Sequence, residues 1–176
     1  MATIPTPPGF HDFYPDDLRV RTYLFDVWRR VARRYGFVEY EAPMVEMTEL
    51  YRRKSGDEIL SQLFHFVDQG GREIALRPEL TPSLARMVAA RPNDFRKPIK
   101  WFEIGQCFRG EKPMRGRRRE FIQFNADILG ETSPGADAEL IALVIDVLRE
   151  LGFGAGDIKF RLSSRAAWQS FLSHHG

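Results

Sequence analysis

Arg109 to Glu120 form a highly charged segment, with six basic side chains and two glutamates in twelve positions. Arginine side chains bind phosphate and carboxylate oxygens through two parallel hydrogen bonds, so this cluster suits an anionic substrate. A charge run of this kind is also typical of a solvated hairpin loop. The strands that flank the loop therefore have to distinguish a binding site from an exposed turn.

Both flanking segments alternate between apolar and polar residues, as strands with one buried face do. In the second segment, 119–130, the side chains predicted to face a core are Ile122, Phe124, Ala126 and Ile128, opposite Arg119, Phe121, Gln123, Asn125 and Asp127. In the first segment, 99–109, those facing the core are Phe102, Ile104 and Phe108, opposite Glu103, Gly105, Cys107 and Arg109. An antiparallel hairpin would bring Arg109, Arg119, Phe121, Gln123 and Asp127 onto one surface, which we call the polar face.

The polar face has the components of a site for a nucleotide and a small polar substrate. Its arginines suit phosphate oxygens, its aromatic ring suits stacking on a purine, and its amide and carboxylate suit a polar ligand. Gly105 and Cys107 are small, which predicts space above the middle of the sheet. The alternative is a hydrated sheet face whose charges pair only with one another.

The elements around this hairpin are predicted from periodicity and from capping and turn residues. Before the hairpin they are a helix capped by Asp16 or Asp17 and ending at Gly36, a strand over 37–46 with Pro43 at an edge or bulge, a short helix from Thr48, a hairpin over 63–77 turning at 68–71, and a helix over 81–90 capped by Thr81. After it they are a helix with Leu140, Ile141, Val144, Leu148 and Leu151 on one side, a strand over 158–162, and a helix capped by Ser163 or Ser164. Strands in the middle and helices around them indicate an α+β fold with a mostly antiparallel sheet.

The composition excludes several classes of protein. The net charge is +2, with 26 basic and 24 acidic side chains, so nucleic-acid binding needs a local patch. Cys107 is the only cysteine, which excludes an internal disulfide and suits a reducing compartment. The four histidines lack ligand spacing, so we expect no metal site. No signal peptide or apolar run of about 20 residues is recognisable, so we expect a cytoplasmic protein without a membrane span.

Four segments resemble one family. The stretch FRGEKPMRGRRREFIQFNADILG, 108–130, resembles motif 2 of class II aminoacyl-tRNA synthetases in its histidyl-tRNA synthetase form. PPGFHDFYPDD, 7–17, resembles the N-terminal entry of that family, and YGFVEYEAPMVE, 35–46, resembles motif 1. ALRPELTPSLAR, 75–86, resembles the segment that begins the histidine pocket. The resemblance implies a class II synthetase fold and ATP-dependent activation of histidine for ligation to tRNA(His).

The resemblance also implies a role for each matching residue of the charged segment. Arg109 would bind the α-phosphate of ATP and the substrate carboxylate, and stabilise charge in the transition state. Glu111 would accept a hydrogen bond from the adenine amino group, and Phe121 would stack on adenine. Arg119 would contact ATP phosphate, and Arg117 would contact phosphate or the tRNA acceptor end.

Histidine itself would be bound by residues from two parts of the chain. Gln123 and Asp127 match the family's pattern on the second strand, where many relatives carry glutamate in place of Asp127. Glu79 and Thr81 match it in the segment before the third helix. ATP would enter with Mg²⁺ as a substrate, and the resemblance implies no prosthetic group. Motif 1 implies a homodimer through residues 35–47, with Pro43 near the two-fold axis.

Several segments of the family do not occur in this sequence. These are an Arg-Gly-Leu-Asp-Tyr-Tyr type segment, a glycine-rich motif 3 with a second ATP-binding arginine, and a C-terminal anticodon-binding domain. Residues 1–176 are therefore expected to be the N-terminal portion of a catalytic domain, with little or no activity alone. A regulatory alternative is a synthetase-like subunit of ATP phosphoribosyltransferase in histidine biosynthesis. A third hypothesis is a dimerising module without a ligand.

Overall fold

In the computed structural model, two ten-residue strands flank the charged loop, as predicted. The structure describes residues 4–175, so the outermost positions of the predicted domain, 1–3 and 176, lie outside the described part. In chain order the elements are α1 (Pro15–Arg34), β1 (Val38–Glu39), β2 (Val45–Met47), α2 (Thr48–Ser55), a 3-10 helix (Asp57–Gln62), β3 (His65–Val67), β4 (Glu73–Leu76), α3 (Thr81–Ala90), β5 (Ile99–Phe108), β6 (Glu120–Leu129), α4 (Pro134–Glu150) and α5 (Arg165–His175).

The strands form two separate three-stranded sheets. The large sheet has the order β1-β5-β6, in which β1 runs parallel to β5 and β6 runs antiparallel to it. The small sheet has the order β2-β4-β3 and is antiparallel throughout. The predicted α+β class is therefore confirmed, and so is the hairpin over 63–77, in which the Gly71 N–H donates to the Asp68 carbonyl.

The register of β5 and β6 confirms the predicted faces. Cys107 lies opposite Phe121, Gly105 opposite Gln123, and Trp101 opposite Asp127. Phe124 faces the other way, where its ring stacks on Trp28 with the ring centroids 5.5 Å apart. The core beneath the sheet contains Val27, Val31, Ala32, Phe37, Phe102, Leu143 and Val147, all buried. The sheet therefore has one apolar face against α1 and α4, and the polar face is turned away from that core.

Two predicted helix caps lie one to three residues after the observed capping positions, Tyr14 for α1 and Leu80 for α3. Pro15 opens α1, and Asp16 and Asp17 lie in its first turn, without a side-chain capping bond. Thr81 is the first residue of α3, and Leu80 precedes it in the capping position. Proline fixes φ near the helical value and has no N–H to satisfy, so it starts a helix without help from a capping side chain.

Three other predictions need correction. The segment 37–46 forms two short strands in different sheets, because the chain crosses from the large sheet to the small one around Pro43. The segment 158–162 is irregular, and none of the described strands pairs with it. On α4 the buried residues are Leu143 and Val147, whereas Val144 is 43% exposed. This helix carries two apolar stripes, and periodicity alone does not show which one packs on α1.

Candidate functional site

The neck of the charged loop brings Arg109 and Phe121 together. The Arg109 N–H donates to the Arg119 carbonyl over 2.8 Å, which extends the β5–β6 pairing by one residue. The Arg109 guanidinium carbon lies 4.8 Å from the centroid of the Phe121 ring. One face of that ring is thus covered by the guanidinium. A purine can stack on the other face, or on this face after the guanidinium has moved onto a phosphate.

The loop itself encloses a cationic pocket of about 200 Å³. Its lining residues are Arg109, Glu111, Lys112, Pro113, Gly116, Arg117, Arg118 and Phe121. Glu111 and Arg117 approach each other across it, with Oε2 and Nη1 3.9 Å apart. Four cationic side chains around one carboxylate leave net positive charge, which suits a polyphosphate. The sequence analysis did not single out Arg118 or Lys112, although the charge run contained both.

The Arg119 side chain does not line the cationic pocket. Its Nε donates to the Glu111 carbonyl over 2.9 Å, and its guanidinium carbon lies 5.9 Å from the Phe64 ring. Its backbone N–H donates to the Gly9 carbonyl over 3.0 Å. Gly9 has φ +90°, and a Cβ there would lie 2.8 Å from the Arg119 Cγ, so only glycine fits. The N-terminal segment thereby holds the end of the charged loop in place. Contact between Arg119 and a phosphate stays a prediction.

The two segments that carry the predicted histidine-binding residues are in contact. The Asn125 Nδ2 on β6 donates to the Thr81 Oγ1 at the start of α3 over 3.2 Å. Glu79 Oε2 lies 2.5 Å from the Nζ of Lys54 on α2, an ion pair that the sequence did not reveal. Since 25 residues separate Lys54 from Glu79, no local pattern links them. An ammonium group of a substrate would have to share Glu79 with this lysine.

One carboxyl oxygen of Asp127 lacks a hydrogen-bond partner in the described part of the chain. Its Oδ2 is buried and has no hydrogen-bond partner among the described residues. Burial raises the pKa of this carboxyl above its usual value. Burial also raises the pKa of Tyr40, and the negative charges of Glu103 and Asp127 add to that shift. Asp127 therefore needs a hydrogen-bond donor, which an imidazole N–H can supply.

The space predicted above Gly105 is filled by the protein. A Cβ at this position would lie 2.5 Å from the Arg77 Nη2 and 2.6 Å from the Leu80 Cδ2. Cys107 is fully buried, burial raises the pKa of its thiol to about 12, and its Sγ lies 3.5 Å from the Gln123 Oε1. The thiol is therefore protonated near neutral pH and is no nucleophile. Any open part of the polar face lies along β6 and the loop neck, not over the middle of β5.

Membrane and metal features were searched within the described part of the chain. No helix among residues 4–175 combines the length and apolar character required to cross a bilayer. The same residues contain no group of three or more histidine, cysteine, aspartate or glutamate side chains that could hold a metal ion.

Solved structures share this fold. A histidyl-tRNA synthetase from Nostoc sp. matches with a TM-score of 0.74 and 29% identity over 86% of this chain and 35% of its own. A Bacillus halodurans structure described as an ATP phosphoribosyltransferase regulatory subunit/histidyl-tRNA synthetase matches with a TM-score of 0.76 and 26% identity, over 88% of this chain and 40% of its own. The fold is therefore that of the class II aminoacyl-tRNA synthetases.

The sequence comparisons specify the family. A family model for histidyl-tRNA synthetase matches residues 9–176, and the chain belongs to that family. The histidine–tRNA ligase of Opitutus terrae is 50% identical over all of this chain and 40% of its own length. The chloroplastic/mitochondrial histidine–tRNA ligase of Arabidopsis thaliana is 46% identical over 97% of this chain and 35% of its own. The chain thus spans 35–40% of the length of these relatives.

Proposed function

We propose that this chain is the N-terminal part of the catalytic domain of a longer histidine–tRNA ligase, which activates histidine with ATP and transfers it to tRNA(His). The observation that carries this proposal is the adjacency of Arg109 and Phe121 to Gln123 and Asp127 on one sheet face. A nucleotide bound at the loop neck and an amino acid bound further along β6 would have their reacting ends side by side.

In the proposed first step, an oxygen of the histidine carboxylate attacks the α-phosphorus of ATP. A phosphorus–oxygen bond forms to the carboxylate, and the bond to the leaving pyrophosphate breaks. Negative charge on the α-phosphate oxygens is stabilised by Arg109, and the cationic pocket holds the outgoing phosphates. ATP enters with Mg²⁺ as a substrate, and no step requires a prosthetic group.

In the proposed second step, a terminal ribose hydroxyl of tRNA(His) attacks the activated carbonyl and AMP leaves. Arg117 is 68% exposed at the loop, which suits contact with the phosphates of an acceptor end. We place the protein in the cytoplasm, in line with the expectation from the sequence. No membrane association is required for either step.

The regulatory alternative has one specific observation in its favour, the combined description of the Bacillus halodurans structure. Two observations favour the ligase. The relatives at 46–50% identity are named histidine–tRNA ligases. The proposed phosphate-binding and adenine-stacking residues, Arg109, Arg117 and Phe121, also line one pocket, and a regulator that only senses histidine does not need such a set.

Pyrophosphate exchange tests the proposed function. The longer protein is expected to exchange labelled pyrophosphate into ATP only when histidine is present, whereas residues 1–176 alone should show little or no exchange, because a partial site orients its substrates poorly. Loss of exchange by the longer protein, together with binding to a phosphoribosyltransferase, would replace the ligase by the regulator.

Replacing Phe121 by alanine is expected to weaken ATP binding by roughly 1–3 kcal/mol, the range for loss of base stacking on an aromatic ring. The KM for histidine should change little, because Phe121 lies at the loop neck. Phe121→Tyr, which keeps the ring, is the matched control and should remain close to the unmutated protein. Equal KM values for ATP in the alanine variant and in the unmutated protein would exclude stacking on this ring.

The predicted dimer through residues 35–47 is testable in solution. Four apolar side chains of this region are between 40% and 61% exposed, namely Val38, Met44, Val45 and Met47. Burial of such a surface would favour association. Light scattering should show a dimer of the longer protein, and Val38→Asp with Met44→Asp should shift it toward monomer. Val67→Asp, at a 64% exposed site outside the region, should not. A monomeric unmutated protein at high micromolar concentration would contradict the prediction.

A further inference from the structure

The candidate histidine pocket is assembled from two separate sheets. Gln123 and Asp127 belong to the large sheet, whereas Glu79 and Thr81 follow β4 of the small sheet. A single small substrate can contact both groups only if the two sheets keep a fixed spacing. A displacement of about 1 Å between groups that hold a substrate can cost on the order of 10²-fold in rate.

Arg77 is the side chain that crosses from one sheet to the other. It is the first residue after β4, and it is 3% exposed. Its Nη1 donates to the Glu103 Oε1 on β5 over 2.6 Å and to the Ala42 carbonyl over 2.9 Å. Its Nε donates to the Gln106 carbonyl over 2.8 Å. One guanidinium thereby holds β5 and the chain between β1 and β2 in a single arrangement.

The backbone of Arg77 completes this link. Its N–H donates to the Met44 carbonyl over 2.9 Å, and its carbonyl accepts from the Phe108 N–H over 2.8 Å. Phe108 directly precedes Arg109, so the same residue is bonded next to the proposed ATP site. Gly105 gives the guanidinium its room, since a Cβ there would lie 2.5 Å from Nη2.

Stability alone does not account for such a pair. Both side chains are nearly fully buried, and the cost of removing two charges from water often cancels their attraction. Replacing a buried ion pair by apolar residues of similar volume is often neutral or stabilising. The directional hydrogen bonds, however, fix where the segment after Arg77 lies above β5, which apolar packing defines less closely.

We propose that the Arg77–Glu103 pair is a positioning device, which holds Glu79 and Thr81 at the distance from β6 that histidine requires. Neither residue touches the substrate. The proposal rests on the proposed function. It adds two residues that set the affinity for histidine without changing the affinity for ATP.

The test measures the KM for histidine and the KM for ATP separately, by pyrophosphate exchange on the longer protein, together with the melting temperature. For the Arg77→Met/Glu103→Leu double variant, we expect a folded protein whose KM for histidine rises by about tenfold or more while the KM for ATP stays within about twofold. Arg77→Lys should rescue only part of the loss, because an ammonium reaches Glu103 but not both carbonyls. Glu103→Gln should also raise the KM for histidine, but by less than the double variant does.

Lys100→Met is the matched control. Lys100 and Glu139 form another ion pair, with Nζ and Oε1 2.5 Å apart, but it joins β5 to α4 on the side of the sheet away from the polar face. This variant should leave both KM values unchanged. Folded Arg77 and Glu103 variants whose two KM values are unchanged, or change equally, would overturn the inference. If the double variant does not fold, Arg77→Lys and Glu103→Gln decide by the same criterion. Absence of exchange in the unmutated protein would overturn the proposed function as well.

Discussion

Replacing Arg109 by alanine in the longer protein is expected to lower the rate of histidine-dependent pyrophosphate exchange by on the order of 10²-fold or more. Arg109 directly follows β5, and its guanidinium lines the cationic pocket and lies over the Phe121 ring. In the proposed mechanism, the substitution removes positive charge from the place where negative charge develops in the transition state. The effect should appear mainly in kcat, because the interaction strengthens in the transition state.

Two further variants sharpen this result. Arg109→Lys should recover only part of the rate, since an ammonium cannot reproduce the planar two-pronged contact with phosphate and carboxylate oxygens. Arg115→Ala is the matched control, because Arg115 lies in the same loop but does not line the cationic pocket. An Arg109→Ala variant within about threefold of the unmutated rate would show that the reacting phosphate lies elsewhere, since a donor in this position contributes far more.

Replacing Asp127 by asparagine is expected to affect function and stability in opposite directions. The catalytic efficiency with histidine should fall on the order of 10²-fold, because the proposed charged acceptor for the imidazole N–H is lost. The free energy of unfolding at neutral pH should stay equal or rise, because the variant no longer buries a carboxylate whose Oδ2 lacks a partner among the described residues. Asp137→Asn, the same chemical change at an exposed position, should leave the catalytic efficiency unchanged. Because Asp137 lies in the first turn of α4, the free energy of unfolding should fall by at most about 1 kcal/mol.

The stability difference should depend on pH with a defined sign. Burial raises the folded-state pKa of Asp127 above the ordinary value of 3.8, so the folded protein is penalised when this carboxyl is ionised. That penalty is complete above the folded pKa, shrinks as the pH falls through it, and vanishes below the unfolded value. The advantage of Asp127→Asn should therefore be greatest at neutral pH and absent near pH 3. Denaturant titrations across this range would contradict the assignment if the advantage grew as the pH fell.

The sequence predicted those parts of the site that depend on local periodicity. Alternation over 99–109 and 119–130 was enough to place Phe121, Gln123 and Asp127 on one face and Phe124 on the other. The same reasoning attributed Gly105 to an open cleft, because alternation shows which face a residue occupies but not what covers it. The Arg77 guanidinium and Leu80 cover it from a different segment of the chain.

The contacts that sequence reasoning missed connect distant segments. The pairs Lys54–Glu79 and Arg77–Glu103 span 25 and 26 residues, and neither produces a local pattern. The division of 37–46 between two sheets was missed for a related reason, since Pro43 indicates an interruption but not the sheet that the chain enters next. The α4 helix offered two apolar stripes, and only packing on α1 selects Leu143 and Val147.

A crystal structure of the longer protein with a non-hydrolysable histidyl-adenylate analogue would test the central claim most directly. The account predicts that adenine stacks on the Phe121 ring, that the phosphate-like group contacts the Arg109 guanidinium, and that an imidazole nitrogen lies within hydrogen-bond distance of Asp127. Glu79 and Thr81 should face the same ligand from the small-sheet side. An analogue bound away from β6, or with its imidazole turned from Asp127, would contradict the account.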